Sequence, residues 1–515
     1  METITISKAE YEEFQSQKEQ IADLQQRVDF LMAQMRLSRR KQFGSSSEKS
    51  EYDQLSLFDE AETYADEKVP EPQASEVKAH YRKKATQSKE KLPEDLPVEI
   101  VEHTLPTEEQ SCAACGHALH VIGKNIRETL KLIPAKAVIE RHIQYVYGCR
   151  DCEKNACETP IVKAPTDTPL ISGSIASAEA VAQLMTQKFV MGVPLYRQEQ
   201  EWNRQGIPLS RQTMSNWLLK CTEDYLVPLY NRLHEQLLEN DVLHADETTL
   251  QVLHEEGKTP QSTSYMWLYR TSGDAKQAIV LYEYQPDRKA ERPKKFLKGF
   301  HGYLHTDGYS GYHSLPEEIM VVGCWAHARR KFDEALKGLP EKARAGSMSM
   351  RAKQYCDRLF ELERGFADLS AEVRRLKRQE QSGPLMREFF HWLKAQNVSA
   401  KSAFGNAARY VFDQKKYLVR YLLDGRLEMS NNRAERSIKP FVIGRKNFLF
   451  ANTARGAMAS AIMYSLVETA KENGISPYNY LVWVLKTAPK LALMQSPELA
   501  EQLLPIRFQA LDQGI

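Results

Sequence analysis

Apolar residues near the start of the chain recur at alternating three- and four-residue steps. The pattern covers about three heptads, which is typical of a coiled coil and indicates self-association. A single amphipathic helix packed on the body of the protein accounts for the same spacing equally well. The seam positions are Phe14, Ile21, Leu24, Val28, Leu31 and Met35, with Gln17 filling one of them.

Two polar stretches follow this pattern. Residues 36–49 are basic and then rich in Gly and Ser, which predicts a flexible arm able to touch phosphates. Residues 50–97 hold four prolines among many charges and show little apolar periodicity. We therefore predict a coiled coil with a basic arm over residues 1–49 and a partly disordered linker over residues 50–97.

Two Cys-x-x-Cys pairs lie in the next segment, residues 98–165. The pairs are Cys112 with Cys115 and Cys149 with Cys152. Each pair can place two thiolates on one tetrahedral ion, so we expect one structural Zn²⁺. The expected fold is a zinc ribbon of two β-hairpins, with strands from residues 126–133 and 138–147. A redox role is less favoured, because no thioredoxin-like βαβ pattern surrounds the pairs. Spare candidate ligands are His117, His120 and Cys157.

A helical period extends over residues 166–238, broken by turns at Gly192 and Gly206. The second turn leads to Ser210, a good N-cap, and to a helix in which Met214, Trp217 and Leu218 would be buried. Two helices joined by a glycine turn are typical of a helix-turn-helix motif, although an ordinary helical hairpin has the same pattern. The outward-facing candidates for DNA contact are Arg211, Gln212, Ser215 and Asn216.

Short strands and helices alternate over residues 239–328. Three strands, a helix, a strand, a short helix and a strand follow the ribonuclease-H-like order of a mixed sheet covered by helices. Asp246 follows the first apolar run and Asp307 the fourth, 61 positions later. Because the first and fourth strands are neighbours in that order, we expect these two aspartates to meet at one edge of the sheet.

A third acid stands alone in a basic stretch. Glu435 lies among arginines and lysines, which suits a metal ligand working beside a polyanion. Together with Asp246 and Asp307 it would hold two Mg²⁺ (or Mn²⁺) ions, roughly 3.5–4 Å apart in such sites. The chain has 68 acidic residues, so residue type alone does not select these three. They are chosen because two follow predicted strands and the third lies near the start of a predicted helix. The rejected competitors are Asp241, Glu247 and Asp274, of which Glu247 is the closest rival because it adjoins Asp246.

The remaining segments are helical by composition. We predict a helical insertion over residues 329–425, a core helix carrying the acid over 426–455 and a C-terminal helical segment over 456–515. His327 and Arg330 share one helix, where they would face either a scissile phosphate or the packed interior. Further candidates for phosphate contact are Arg329, Arg330, Arg433, Arg436, Lys439, Arg445 and Lys446.

Composition fits a soluble multidomain protein. The net charge of +2 is close to neutral, but basic clusters over 36–49, 78–91 and 329–378 allow nucleic-acid contact at chosen faces. The first thirty residues show no secretory signal and no run of about 18 apolar residues exists, so no membrane span is expected. The eight cysteines then belong in a reducing compartment, where metal binding is favoured over disulfides.

Four motifs together resemble the large transposase of the insertion-sequence-66 family, a DDE-type enzyme. They are HADET at 244–248, HTDGYSGY at 305–312, CWAHARRKF at 324–332 and NNRAERSIKPFVIGRKNFLF at 431–450. The resemblance implies that Asp246, Asp307 and Glu435 form the catalytic triad. It also implies cleavage by water followed by attack of the new 3′-hydroxyl on target DNA, without a covalent protein–DNA intermediate.

The predicted protein is thus a multidomain α+β transposase. Its expected partners are double-stranded DNA, as element ends and as target, further copies of itself, and small accessory proteins of the same element. Its expected location is the bacterial cytoplasm, associated with the nucleoid when bound to DNA. The alternatives are a hydrolytic ribonuclease-H-like nuclease and a DNA-binding regulator with an inactive core. A structural coiled-coil protein would leave the acids unexplained.

Overall fold

The computed structural model describes residues 137–147, 162–491 and 496–512, together with Ser7, Phe14 and Gln17. The chain divides into two compact units, residues 46–165 and residues 1–45 with 166–515. Several predicted positions lie outside the described residues, namely Ile21, Leu24, Val28, Leu31, Met35, Cys112, Cys115, His117, His120, Cys149, Cys152 and Cys157.

The smaller unit contains a two-stranded antiparallel ladder. Strand β1 (Val146–Tyr147) pairs with β2 (Val162–Lys163), and Gln144 Nε2 donates to the carbonyl of Ala164 at 2.6 Å. The strand predicted over 138–147 is therefore formed only at its end, and its partner follows the second Cys-x-x-Cys pair. The apolar side chains over 138–147 are exposed.

Between residues 166 and 238 the structure forms four α-helices, as the periodicity predicts. They are α1 (Ala178–Phe189), α2 (Leu195–Arg204), α3 (Arg211–Cys221) and α4 (Val227–Leu238). Both predicted turns are confirmed, with Gly192 and Gly206 at φ of 70° and 78°, a region that glycine enters without steric cost. The predicted N-cap is also confirmed, because Ser210 Oγ accepts the Thr213 N–H at 3.1 Å.

The central sheet has six strands. In spatial order its main path is β5-β4-β3-β6-β7, and β8 pairs with the far end of β3. Pairing is antiparallel among β3, β4 and β5 and parallel among β3, β6 and β7. The strands are β3 (Val242–His254), β4 (Thr263–Thr271), β5 (Val280–Gln285), β6 (Gly302–His305), β7 (Ile319–Val322) and β8 (Ala451–Thr453).

The first of these strands is much longer than the sequence predicts. Instead of ending in acids, β3 continues past Asp246 for eight residues. Thr248, Thr249, Leu250 and Val252 favour extended backbone, and the long partner β4 and the short β8 supply hydrogen bonds for it. The first and fourth predicted strands, β3 and β6, are neighbours as expected.

Helices cover the sheet and fill a second core. Short α5 (Glu291–Phe296) precedes β6, and six helices lie between β7 and the helix of Glu435. Trp325, Phe332 and Phe389 pack in the core of this helical region, and Trp325 Nε1 donates to the carbonyl of Leu418 at 3.0 Å. The six are α6 (Trp325–Lys337), α7 (Glu341–Arg344), α8 (Met348–Gly365), α9 (Ala371–Lys377), α10 (Gly383–Lys394) and α11 (Ala403–Leu418).

The last helices close the main core. Helix α12 (Asn432–Phe448) carries Glu435 in its first turn. The others are α13 (Ala454–Glu472), α14 (Pro477–Thr487) and α15 (Pro505–Asp512). Within the described part of the chain, no helix combines the length and apolar character needed to cross a membrane.

A buried arginine ties the helical region together. Arg378 is almost fully buried and pairs with Glu363, while its guanidinium also donates to the carbonyls of Tyr421, Asp424 and Leu427. Removing it would leave these acceptors without donors in a site with little water. Loss of one partner of a buried pair typically costs about 3–5 kcal/mol.

We therefore expect Arg378→Met to lower the free energy of unfolding by about 3 kcal/mol or more. Arg375→Met is the matched control, because Arg375 pairs with Glu372 on the exposed side of α9 and should change the urea midpoint little. Urea unfolding followed by circular dichroism measures both. Equal midpoints for the two variants would contradict the role given to Arg378.

Candidate active site

The parallel pairing of β3 and β6 brings together the two chain segments that lead into Asp246 and Asp307. Its register places His244 opposite His305, and Asp246 and Asp307 each follow their histidine by two residues. Side chains two residues apart along a strand share a face. Asp246 remains within β3, whereas β6 ends at His305, so Asp307 begins the loop beyond it. The structure therefore confirms the predicted meeting of the two strands near these acids.

The two histidines form a buried stack beneath the aspartates. Their rings are 4.5 Å apart at 12°, and both side chains are fully buried. Burial lowers the pKa of His244 to about 3 and that of His305 well below its usual value. Two neutral rings therefore pack here without charge repulsion and fix the spacing of the strands that carry the acids.

Asn431 connects this stack to the helix of Glu435. Its Nδ2 donates to the carbonyl of Ala245 at 2.8 Å, its Oδ1 lies 3.0 Å from Nδ1 of His244, and its N–H donates to Sγ of Cys324 at 3.1 Å. Asn431 precedes the first residue of α12 and is fully buried. The start of α12 is thereby fixed against the first part of β3.

The buried face of α12 is held on the same side of the sheet. Arg270 on β4 donates to Ser437 and, at 3.0 Å, to Glu472 of α13, while the Tyr282 hydroxyl donates to the carbonyl of Ser437. Phe441 packs in the main core. These contacts fix the rotation of α12, and Glu435 then points away from the core toward α6.

Glu435 meets two side chains from α6. Arg330 donates to its Oε2 at 3.2 Å, and Nδ1 of His327 lies 3.7 Å from its Oε1. Nδ1 of His327 and Oε1 of Glu435 are both buried, and neither makes a hydrogen bond among the described residues. A buried carboxylate oxygen without a donor is costly, and a bound cation would satisfy it.

The three acids act on one another electrostatically. The pKa of the Asp246 carboxyl is raised well above its usual value, first by burial and then by the charges of Glu247, Asp307 and Glu435. Such mutual repulsion is what a metal ion between carboxylates relieves, and an all-oxygen donor set suits Mg²⁺. The residues therefore fit the metal that the sequence predicts, although their oxygens do not all approach within 4.8 Å of one another.

A tighter group of candidate ligands includes only one of these acids. Ligand atoms of Cys324, His327 and Glu435 lie within 4.8 Å of one another. Burial raises the pKa of Cys324 to about 12, so its sulfur is a neutral thiol that accepts the Asn431 N–H. We assign Cys324 to positioning, because its sulfur already accepts the Asn431 N–H and Mg²⁺ prefers oxygen ligands to sulfur.

Glu247, the closest rival of Asp246, is held on the opposite face of β3. Arg288 donates to its Oε1 and the Tyr312 hydroxyl donates to its Oε2 at 2.6 Å. Its side chain is 1% exposed. Both oxygens are thus engaged in a fixed network, which leaves Asp246 as the acid of this pair that faces Glu435's helix.

The loop after Asp307 is fixed by the helical region and by aromatic packing. Tyr410 on α11 donates to the carbonyl of Asp307 at 2.9 Å. Gly308 has φ of 99°, and a Cβ there would lie 3.0 Å from the Tyr410 hydroxyl. The backbone N–H of Tyr309 donates to Asp307 Oδ1 at 3.0 Å, and the Tyr309 ring stacks under the Arg288 guanidinium. Gly308 and Tyr309 of the HTDGYSGY motif, together with Tyr410 of α11, therefore orient Asp307.

Some of the residues predicted to contact DNA are bonded to other residues of the protein, and others are exposed. Arg433 pairs with Glu428, Arg445 donates to the hydroxyl of Thr248, and Arg329 pairs with Asp357. Arg330 reaches Glu435 while about half of its side chain stays exposed. Arg211, Gln212, Asn216, Arg436 and Lys446 have exposed positions, and Ser215 and Lys439 are half-buried.

Sequence reasoning missed the supporting residues His244, His305, Asn431 and Cys324. One signal was available, since HADET and HTDGYSGY both place a histidine two residues before the aspartate. The link between Asn431 and Cys324 had no local signal, because 107 positions separate them.

Four family models match the chain. The model described as "Transposase IS66 family" covers residues 173–459, which is more than half of the chain. The "zinc-finger binding domain of transposase IS66" covers 109–153, "Transposase C of IS166 homeodomain" covers 30–101 and the "IS66 C-terminal element" covers 465–506.

Curated relatives from Sinorhizobium fredii (strain NBRC 101917 / NGR234) extend this similarity along the chain. The uncharacterized protein y4qI is 30% identical over 94% of this chain and 90% of its own length. The uncharacterized protein y4jD is 31% identical over 81% of both chains, and the uncharacterized protein y4hP is 30% identical over 87% of this chain and 83% of its own. With a matching family model over more than half of its length, the chain belongs to the IS66 family of transposases.

Proposed function

We propose that this protein is a metal-dependent DNA transposase that cuts the ends of its mobile element and joins them to target DNA. The observation that carries the proposal is the register of β3 and β6, whose last pair, His244 with His305, stands two residues before Asp246 and Asp307. The charges of Asp307 and Glu435 also act on Asp246, which supports a common site. The strand order supports a ribonuclease-H-like core, in which carboxylates from neighbouring strands and a later helix serve phosphodiester chemistry.

Asp246, Asp307 and Glu435 would hold two Mg²⁺ ions. When bound, the ions supply Lewis acidity to the attacking and leaving oxygens of an in-line displacement. Asn431 and the His244–His305 pair keep the three carboxylates in place. Arg330 offers its exposed guanidinium next to Glu435, where it would orient a phosphate of the substrate.

The remaining parts of the proposal concern DNA and assembly. Arg211, Gln212, Ser215 and Asn216 of α3 would contact the element end, and the N-terminal coiled coil would pair two ends by joining copies of the chain. Cys112, Cys115, Cys149 and Cys152 would hold one structural zinc ion, in agreement with the zinc-finger family match. Small accessory proteins of the element would assist, and its DNA substrate would place the enzyme at the bacterial nucleoid.

Strand transfer tests the proposal directly. Purified full-length protein would be incubated with a labelled duplex ending in the terminal repeat that flanks the gene and with a supercoiled plasmid, in Mg²⁺ or in EDTA. We expect metal-dependent joining, and we expect Asp307→Asn to reduce it by more than about 100-fold, since even outer-shell changes cost 10–100-fold at metal sites.

Asp274→Asn is the matched control, because Asp274 is an exposed acid in the loop between β4 and β5 and should leave joining unchanged. Cleavage without joining, with paired ends supplied, would favour a hydrolytic nuclease. Binding without either reaction, even after the accessory proteins are added, would favour a regulator and overturn the proposal.

The raised pKa of Asp246 predicts how stability depends on pH and metal. The folded protein then binds a proton more tightly than the unfolded chain, so this group's effect on stability becomes less favourable as pH rises toward and through the raised pKa. In EDTA near neutral pH, we expect Asp246→Asn to melt at a higher temperature than wild type. Mg²⁺ should raise the melting temperature of wild type and not that of the variant, as scanning calorimetry can measure.

The opposite ranking in EDTA would show that Asp246 is not electrostatically strained. Repeating the scans at progressively lower pH supplies the control. As the Asp246 carboxyl becomes protonated in wild type, the difference in melting temperature between the two proteins should shrink.

Zinc content tests the four-cysteine assignment. We expect about one zinc per chain by elemental analysis after gel filtration, and we expect Cys149→Ser to lose it, because three remaining ligands hold a structural ion weakly. Cys157→Ser should keep its zinc. The reverse result would move the ligand from Cys149 to Cys157.

A further inference from the structure

Helix α12 ends in a strained turn centred on Leu449. The residue has φ of 65° and ψ of −49°, and the Phe450 N–H donates to the carbonyl of Phe448 at 2.8 Å. This is the γ-turn with positive φ at its centre, which is rare and strained. Among the described residues, Leu449 is the one residue other than glycine with positive φ.

The Leu449 side chain gains no burial in return for this strain. It is 64% exposed, and neither apolar core includes it. Glycine would adopt the same backbone at little cost. A strained backbone that holds a large exposed side chain points to a function for that side chain, because neither packing nor the turn itself requires leucine.

The surface next to Leu449 is cationic and partly apolar. The outer face of α12 carries the exposed Arg436 and Lys446 and the half-buried Lys439, and Glu435 is the helix's only acid. Lys188 of α1 lies 5.2 Å from the ring of Phe448. Phe450, the residue after Leu449, is itself exposed. An apolar tip at the end of a row of cations therefore projects from the helix that carries Glu435.

The predicted DNA-binding segment approaches this tip. The turn between α1 and α2 contacts the end of α12, since a Cβ on Gly192 would lie 2.8 Å from Nδ2 of Asn447. Met191, beside that glycine, is exposed as well. The strained turn thus lies where the helical segment and the core helix adjoin.

We propose that Leu449 is a wedge that inserts between two base pairs of the DNA duplex bound along α12. The cations of α12 would follow one phosphate backbone, and the fixed turn would present the leucine to the adjoining groove. Proteins that kink DNA use apolar side chains in this way, and the wedge gains most when its backbone is rigid.

The proposal rests on the proposed function and adds a DNA-distorting site to it. From Glu435 to Phe448 the helix rises about 20 Å, at 1.5 Å per residue. We take the duplex axis to run parallel to α12. At 3.4 Å per base pair, this distance then corresponds to about six base pairs. The unstacked step should therefore lie about six base pairs from the cleavage position. A second copy of the chain fits the surface around α12 and Leu449 less well than DNA does, because the cations on α12 of the two copies would repel each other.

Chemical probing of bound DNA tests the wedge. The probe is the terminal-repeat duplex, treated with permanganate for unstacked pyrimidines and with diethyl pyrocarbonate for unstacked purines, so that every base pair carries a reporter. Wild-type protein should make one step hyperreactive, about six base pairs from the cut. Leu449→Gly should return that step to the reactivity of free duplex, and Leu449→Phe should retain the signal.

Thermal unfolding separates this role from a structural one. Leu449→Gly should melt at or above the wild-type temperature, because relief of backbone strain exceeds the added freedom of the unfolded chain. Leu423→Ala, a change at another exposed leucine, should leave the DNA signal unchanged. Arg436→Gln should lower the salt dependence of binding by about one counterion and keep the hyperreactive step in the bound fraction.

Two results would overturn the wedge while leaving the transposase intact. One is strand transfer by wild type with no hyperreactive step, and the other is a Leu449→Gly complex that keeps the step. A change in oligomeric state caused by Leu449→Gly, with unaltered DNA reactivity, would instead assign the turn to contact between copies. If the wild-type protein does not join the element end to the target plasmid, the result counts against the proposed function.

Discussion

The parallel pairing of β3 with β6 is the constraint on which the site depends. Its register sets His244 against His305 and, two residues on, directs Asp246 and Asp307 to one region. A slip of one residue would turn one aspartate to the other face of the sheet, where Glu247 is already bonded to Arg288 and Tyr312. The buried histidine stack opposes such a slip, because a one-residue shift would turn one ring to the other face of the sheet and break the stack.

The helical region between β7 and α12 has a role in the site beyond its own packing. Helix α6 brings His327 and Arg330 to Glu435, and α11 brings Tyr410 to the backbone of Asp307. Cys324, at the start of α6, accepts the N–H of Asn431. Two of the three acids are therefore oriented by this region, so its internal anchor at Arg378 supports the active site as well as the second core.

The site and the far end of helix α12 hold features that oppose folding. Burial and neighbouring acids raise the pKa of Asp246, Glu435 keeps a buried oxygen without a donor, and Leu449 holds a strained backbone. Each is expected where a binding partner supplies what the protein lacks, cations for the carboxylates and a base step for the leucine. The surrounding structure compensates through two apolar cores and through Arg270, which links β4 to α12 and α13.

The sequence alone determined the family motifs, the turns at Gly192 and Gly206, the cap at Ser210 and the neighbouring strands of Asp246 and Asp307. These features depend on local periodicity, on backbone preferences and on a strand order that few topologies satisfy. Only the tertiary structure decided that β3 continues to His254, that Asn431 joins β3 to α6, and that Arg433 and Arg445 bond within the protein. The reason is physical: each of these outcomes, apart from the short Arg433–Glu428 pair, is set by partners that packing brings together from distant parts of the chain, and no local pattern encodes such a meeting.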